Sequence, residues 1–559
     1  MTRAEALAEI DATLLRIGFL RDASAAFIPK WRGRIRAFRG ELAVRVEVDD
    51  LDFARPPRIC LEDRGAVDGR LYPHLLPASL AICYLDSNAA VLDRYRPGGT
   101  VLWCIQQAER VVSEVLRGAA DRDFAHEFNV YWGLPVFFSD LPQDFEGKAA
   151  VAWVRLRAGY EVPVLAPHGK FATVFSTLHR KNGGGALDEI PCAAIRVDAA
   201  LTIDAPDRWP PTQWARLSEW LDAVTPGTRI EVEAALIAAR GNVRSVALHA
   251  RNGVFMLLVT IPAVFRKLEF EKSRPGAMKG LLERYGVKFT VSTYGVERID
   301  EAFVYGRNMN GEIPLAGKKI LLIGCGTIGG YLGHMLAQNG AGTLGGQLIL
   351  IDDDKLGPQN LGRHVLGMPY LDLNKAEALA QFIAEQLPHI SVVGEPRDIL
   401  EMKPRMYKVD LVIDATGTEA VSIAVNDFVV GIPGDKRPGL LHVWILGNGA
   451  AAQGLLHLGP ETACYKCLKP DLAGEGRVGM LRGETELARV AGCADSVFVP
   501  FPVSASVQAA ALGLEMVLDW GRGMPRALQR NRLLNPNQAH ARKDSRIAPS
   551  PRCPACSSR

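Results

Sequence analysis

Long apolar runs are missing from the 559-residue chain: no uninterrupted hydrophobic stretch reaches the roughly 20 residues of a membrane-spanning helix. Met1 to Leu20 also lacks the basic and apolar regions of a secretory leader. A soluble, cytoplasmic protein with no membrane partner is expected. An excess of one charge is missing too. With 65 Lys and Arg against 62 Asp and Glu there is no basic footprint for nucleic acid. The 10 cysteines are too thinly spread for a disulfide framework, and two C-x-x-C pairs near the end favour metal and thiol chemistry. The length suggests three or four domains, each able to bury a core.

What is present is organised around Lys318 to Lys375. The apolar run Ile320 to Ile323 is followed at once by Gly324, Gly326 and Gly329, in G-x-G-x-x-G spacing. This reads as strand, tight turn and helix: the first glycine permits the turn, the second lets backbone N–H groups approach a phosphate, and the third packs helix on strand. The helix N-terminus then faces an anion. A second strand, Gln347 to Ile351, ends in Asp352, Asp353 and Asp354, placed to accept a hydrogen bond from a ribose hydroxyl. Up to this point an NAD oxidoreductase fits equally well.

Beyond the acids come Asn360, Arg363 and Lys375, the last opening an amphipathic helix. An enzyme that attacks the α-phosphate of ATP must neutralise a triphosphate and expel pyrophosphate, which gives these residues a use that a dehydrogenase lacks. The order of glycine turn, Asp352-x-Asp354, Asn360-Leu361-Gly362-Arg363 and Lys375 resembles the adenylating domain of the ubiquitin-activating, ThiF and MoeB superfamily. The resemblance covers roughly residues 300 to 559. It implies ATP as cofactor with Mg²⁺, ribose on Asp352, and charge stabilisation by Arg363 and Lys375. Where the family often has D-x-x-D, this chain has Asp414-Ala415-Thr416-Gly417, so the metal role passes to Asp414 or elsewhere. Arg307 matches a family arginine that reaches into the partner's ATP site, which implies a homodimer. Its other reading is a solvated loop arginine.

The pairs Cys464-x-x-Cys467 and Cys553-x-x-Cys556 supply the four sulfurs of a structural Zn²⁺ site; a lone pair of this kind would read equally as a redox motif. Between them Cys493 follows Gly492, ahead of the Pro-broken stretch Val497 to Val503 and a helix Ser504 to Leu518. A loop thiolate can attack an adenylate, and similar proteins carry their catalytic cysteine between the zinc pairs. The competing reading is a packed loop cysteine.

The N-terminal region reads as a helix within residues 2 to 20 and short strands Arg34 to Arg39, Leu42 to Val48 and Arg58 to Leu61. After these come His74, Cys83, a helix Val101 to Leu116, and a closing segment Phe124 to Trp132. This order resembles a ubiquitin-conjugating fold, with Cys83 in the place of its thioester cysteine. That family usually has His-Pro-Asn, whereas Leu75 and Leu76 follow His74 here. A buried structural Cys83 is the alternative, and Cys60, Cys104, Cys192 and Cys325 read as structural.

The expected architecture is α/β. It comprises an α+β conjugating (E2)-like domain over 1–148, an α+β connector or dimerisation domain over 149–299, and a Rossmann-like adenylating domain with zinc knuckles over 300–559. In the connector, strand-like runs that include Arg229 to Ala238 surround a helix Pro211 to Val224. The layout resembles the fused activating–conjugating enzymes of bacterial antiphage operons, such as the CBASS Cap proteins. The resemblance implies that a C-terminal carboxylate, of a ubiquitin-like protein or a nucleotidyltransferase, is adenylated. It then passes to Cys493 and Cys83, and reaches an amine of a target. A sulfur-carrier activating enzyme and a non-catalytic scaffold are the rival readings.

Overall fold

A computed structural model describes the chain except for residues 1, 24–26, 39, 68–69, 77, 86–89, 146–147, 157, 169–188, 267–274, 388, 472–475, 484–489, 492–496 and 558–559. The described residues divide into two compact units that meet in sequence at Arg298 and Ile299. No helix among them is long and apolar enough to cross a membrane.

The first unit begins with the helix Arg3–Leu15. Thr2 accepts from the Glu5 N–H while the Glu5 carboxylate accepts from the Thr2 N–H, a capping box that fixes where the helix starts. Strands β1 (Leu20–Arg21), β2 (Lys30–Ala37), β3 (Gly40–Glu47) and β4 (Arg58–Leu61) form an antiparallel sheet in that order. β2 alternates, with Trp31 and Ile35 buried and Arg32, Arg34 and Arg36 exposed. Between those two inward residues stands Gly33, where a Cβ would lie 2.3 Å from the Phe19 ring. With the helices Arg3–Leu15 and Pro97–Leu116 the sheet encloses a core of Ile10, Trp31, Ile35, Val46 and Cys104. Cys104 is therefore core, as expected.

Downstream, β5 (Pro135–Ser139), β6 (Lys148–Arg155), β7 (Glu161–Pro167), β8 (Ile190–Val197), β9 (Val243–Ala250), β10 (Gly253–Thr260) and β11 (Thr290–Arg298) close into a barrel of order β10-β11-β5-β7-β6-β8-β9. One expectation changes here. Arg229 to Ala238 is not a strand: Thr228–Ala238 is a helix, with Thr228, Val232 and Leu236 buried at helical spacing and alanines favouring it. The closing segment of the N-terminal region, Phe124 to Trp132, does not share the sheet's core. It packs into the barrel's, where Phe128 meets Phe255 at 4.9 Å between centroids and Trp132 donates to the Met256 carbonyl.

In the second unit β12 (Lys319–Ile323), β13 (Gln347–Ile351), β14 (Val392–Glu395), β15 (Leu411–Asp414), β16 (Gly439–Leu446) and β17 (Ala451–His457) are followed by the short pair β18 (Val490–Ala491) and β19 (Val497–Phe498), then β20 (Gln529–Leu533). The main sheet has the order β14-β13-β12-β15-β16-β17-β20. Its first five strands are parallel and the last two add antiparallel. The order turns back at β12, between β13 and β15, which is where an open α/β sheet presents its ligand crevice. β12 and β13 are buried as continuous apolar runs because helices cover both faces of such a sheet.

Candidate functional site

β12 runs into Gly324 and Gly326, and Gly326 is the N-cap residue of the helix Thr327–Gln338. Gly324 has φ +84, and a Cβ there would lie 2.9 Å from Thr416 backbone. At Gly329 a Cβ would stand 1.8 Å from the Gly324 carbonyl oxygen, so no larger residue fits. At Gly326 a Cβ would have nothing within 4 Å: the helix N-terminus opens onto free space. Before it lies a cavity of about 230 Å³, lined among others by Gly324, Gly326, Asp352, Asp353, Asp354, Lys375, Arg397 and Thr416.

The polar groups of this cavity are tied to one another. Asp352 accepts from the N–H groups of Cys325 (2.6 Å) and Asp354 (2.9 Å), one on each carboxylate oxygen, which leaves each oxygen a further acceptor site. Burial pushes its carboxyl up, against the pull of Lys375. The ammonium of Lys375, whose side chain is 9% exposed, meets Asp354 at 2.6 Å. Asn374 caps the helix that starts at Lys375 and donates to the carbonyls of both Asp352 and Asp354, fastening the acidic loop to that helix.

Other expected residues stand outside the lining. Asn360 accepts from the Gly357 N–H at 2.9 Å and so caps its own turn. The Arg363 guanidinium lies 5.8 Å from the centroid of Phe501, and partial burial pulls it down. Arg307 is exposed, over Phe303. Asp414 is turned inward: Oδ1 accepts from the Thr416 N–H and hydroxyl, and Oδ2 accepts from Ser422 and His442. Burial alone would raise its carboxyl, but these donors outweigh it and hold Asp414 below the usual carboxylate range. Oδ1 of Asp414 thus holds the Thr416 turn, while Oδ2 ties β15 to Ser422 and to His442 of β16.

One histidine, His364, and the pair of acids around His74, Asp123 and Glu127, carry no motif of their own. His364 Nε2 donates to the Cys325 carbonyl at 2.7 Å while its Nδ1 accepts from Leu366, so the Arg363 loop is pinned to the glycine turn. In the first unit Cys83 is exposed, and its N–H donates to the His74 carbonyl at 2.8 Å. His74, at φ +59, has a carboxylate at each ring nitrogen: Glu127 2.6 Å from Nδ1 and Asp123 3.1 Å from Nε2. Glu127 also accepts from the His74 backbone N–H. Partial desolvation, and then the Glu127 charge, push the Cys83 thiol up. Separations of about 50 residues hide this network from any local pattern; the nearest signal was His74 itself. Cys493 lies outside the described residues.

The four paired cysteines do converge. Their Sγ atoms all lie within 4.8 Å of one another, with Cys464 3.7 Å from both Cys467 and Cys553, and Cys467 3.4 Å from Cys556. A tetrahedral ion with metal–sulfur bonds of about 2.3 Å sets its sulfurs roughly 3.8 Å apart, so the cluster fits zinc. Cys467 also accepts from the Ser550 N–H. Without a cation the crowding disfavours a full set of thiolates: neighbouring thiols and burial push Cys464 up, and burial pushes Cys556 up to about 12.

Residues 308–557 match the ThiF family, and residues 9–135 match prokaryotic E2 family B. The ATP-dependent ubiquitin transferase-like protein Cap2 of Pseudomonas aeruginosa is 33% identical over 539 residues, 94% of either chain. This chain belongs to the Cap2 family. The Cap2 proteins of Vibrio cholerae and Escherichia coli are each 32% identical, over 84% and 71% of either chain. As a Cap2-family enzyme the chain joins an ATP-using, ThiF-type activating half to an E2-like half. The glycine turn and its cavity fall in the ThiF match, as do the four cysteines. Cys83, His74 and Glu127 fall in the E2 match.

Proposed function

We propose that the protein activates a polypeptide C-terminus and conjugates it to an amine. ATP occupies the cavity before Gly326, its ribose on Asp352 and its phosphates at the helix N-terminus, with Mg²⁺ entering alongside the phosphates. The C-terminal carboxylate of a ubiquitin-like protein or a nucleotidyltransferase attacks the α-phosphate. The bond to pyrophosphate breaks, and an acyl adenylate forms. Lys375 and Arg363 offset the charge that builds up in that step. The Cys493 thiolate then attacks the acyl carbon and expels AMP. Cys83 takes the acyl group by thioester exchange, and an amine of the target attacks it to leave an amide and the free thiol. Zn²⁺ on Cys464, Cys467, Cys553 and Cys556 fastens the C-terminal segment and takes no part in the chemistry.

The observation that carries this reading is the juxtaposition, in one cavity, of an open glycine-turn helix terminus with Asp352, Asp354 and Lys375. An exposed cysteine inside the E2 match accompanies it. Arg307 serves the neighbouring copy of a homodimer. Antiphage defence of the CBASS type is the setting that relatives named Cap2 suggest. The test is ATP–pyrophosphate exchange with the carrier supplied. Arg363→Ala and Lys375→Ala should lose at least about a hundredfold in rate, as expected when a charge stabiliser is removed. Exchange at the wild-type rate in both would overturn the assignment.

A further inference from the structure

Arg363 is held by a side chain that no motif marks. Its guanidinium carbon lies 5.8 Å from the centroid of the Phe501 ring, within the range of a cation–π contact. Phe501 itself is fixed by its neighbours. The preceding carbonyl, of Pro500, accepts from Asn448 Nδ2 at 2.8 Å. Gly449, at φ +80, lets the backbone approach, since a Cβ there would lie 3.1 Å from the Cβ of Phe501 and 3.3 Å from Pro502. Pro502 then caps the helix Val503–Gly521, whose residues Ala509, Leu512 and Met516 are buried in the sheet's core. The ring is thus anchored on one side by the β16–β17 turn and on the other by a core helix. On the arginine's own side, His364 ties the loop to the glycine turn through the Cys325 carbonyl.

We infer that Phe501 is the positioning residue for Arg363: its ring face fixes the plane of the guanidinium fork, so that the arginine meets the ATP phosphates already oriented. An arginine on a flexible stem loses rotamer freedom when it binds phosphate, and an aromatic platform removes much of that loss beforehand. The ring touches no phosphate and acts only through Arg363. The inference rests on the reading of Arg363 as a phosphate-binding residue.

The experiment measures binding of Mg·ATP and of adenosine to the full-length protein by titration calorimetry, with adenosine followed by competition. The variants are Arg363→Ala, Phe501→Leu and Phe501→Tyr. Leucine keeps apolar packing against Gly449 but has no π face, whereas tyrosine keeps both. Arg363→Ala should weaken ATP about tenfold or more and leave adenosine unchanged. Phe501→Leu should weaken ATP about threefold or more, again with adenosine unchanged, and Phe501→Tyr should bind as wild type. If Arg363→Ala binds ATP normally, the phosphate role of Arg363 fails and this inference with it. If Arg363→Ala is weakened while Phe501→Leu is not, the phosphate role stands and the inference alone is overturned. Equal losses of ATP and adenosine in Phe501→Leu, or a loss in Phe501→Tyr matching that in Phe501→Leu, would make the ring a packing residue and also overturn it.

Discussion

His442 donates from Nδ1 to the Asp414 carboxylate at 2.7 Å, and the two side chains are 1% and 2% exposed. The other face of this pair leads to the cysteine cluster. The imidazole packs on Tyr465, 4.5 Å between centroids, and Tyr465 stands between Cys464 and Cys467. Asp414 in turn holds the Thr416 turn at the edge of the cavity before Gly326. The four-cysteine cluster and the Thr416 turn are therefore joined through two buried polar side chains and a ring.

Replacing His442 by Phe keeps a ring against Tyr465 but takes a donor from a buried carboxylate. The expected loss is about 1.5–3 kcal/mol, the range for a hydrogen bond to a charged group. The sign with pH follows from Asp414, whose folded pKa is depressed. Its stabilisation is present above the unfolded carboxylate value and lost as pH falls through the lower folded value. His442→Phe removes the largest of the contributions that lower this carboxyl and leaves those of Ser422 and Thr416, so the gap from wild type should be widest at neutral pH and shrink on acidification. Thermal unfolding midpoints of the two proteins between neutral and acid pH check this, and a gap that widens in acid contradicts it.

Zinc content is the second test. Elemental analysis should find about one zinc per chain, and Cys556→Ser should lose most of it, since a structural shell of this type is closed at four ligands. Chelation should lower the unfolding midpoint of the wild type, because metal binding and folding share one free energy. Metal-free protein of unchanged stability would count against the site.

How far the sequence carries depends on the range of the interactions involved. The glycine turn, the acids after β13 and the C-x-x-C pairs are local patterns whose geometry is fixed by spacing, and each lies where the spacing puts it. The expected strand Arg229 to Ala238 contains β-branched Ile230 and Val232, which suit either element, while the burial of Val232 and Leu236 together is a helical period. Phe124 to Trp132 falls within the prokaryotic E2 match, yet its aromatic side chains pack into the barrel's core, which no local pattern announces. The motif position of Asp414 does not fix which way its carboxylate turns. The four donors that turn it inward come from three residues, Thr416, Ser422 and His442, and His442 belongs to a different strand.

Glu127 should govern the reactivity of Cys83. Its carboxylate adds to desolvation in holding the thiol above its ordinary value, so the thiolate fraction near neutral pH is small. Glu127→Gln removes that charge and should speed alkylation of Cys83 by iodoacetamide at pH 7 to 8, with the difference closing as pH rises and both thiols ionise. Peptide mass spectrometry reads Cys83 separately from the other cysteines. Slower alkylation in Glu127→Gln would show that the carboxylate activates the thiol instead.

The order of the two thiols is the remaining prediction, and it separates a conjugating enzyme from a sulfur-carrier enzyme, which has no use for Cys83. Cys83 belongs to the first unit, and Cys493 lies in the ThiF-matching stretch of the second. Acyl transfer needs the reacting atoms at about 3 to 3.5 Å, so a relay requires Cys493 to be charged first and Cys83 to meet it afterwards. With ATP and the carrier supplied, Cys83→Ala should still form a reductant-sensitive adduct, held at Cys493. Cys493→Ala should form none at either position. A non-reducing gel reads both. If Cys493→Ala charges Cys83 at the normal rate, Cys83 takes the acyl group directly from the adenylate, and Cys493 belongs with the structural cysteines.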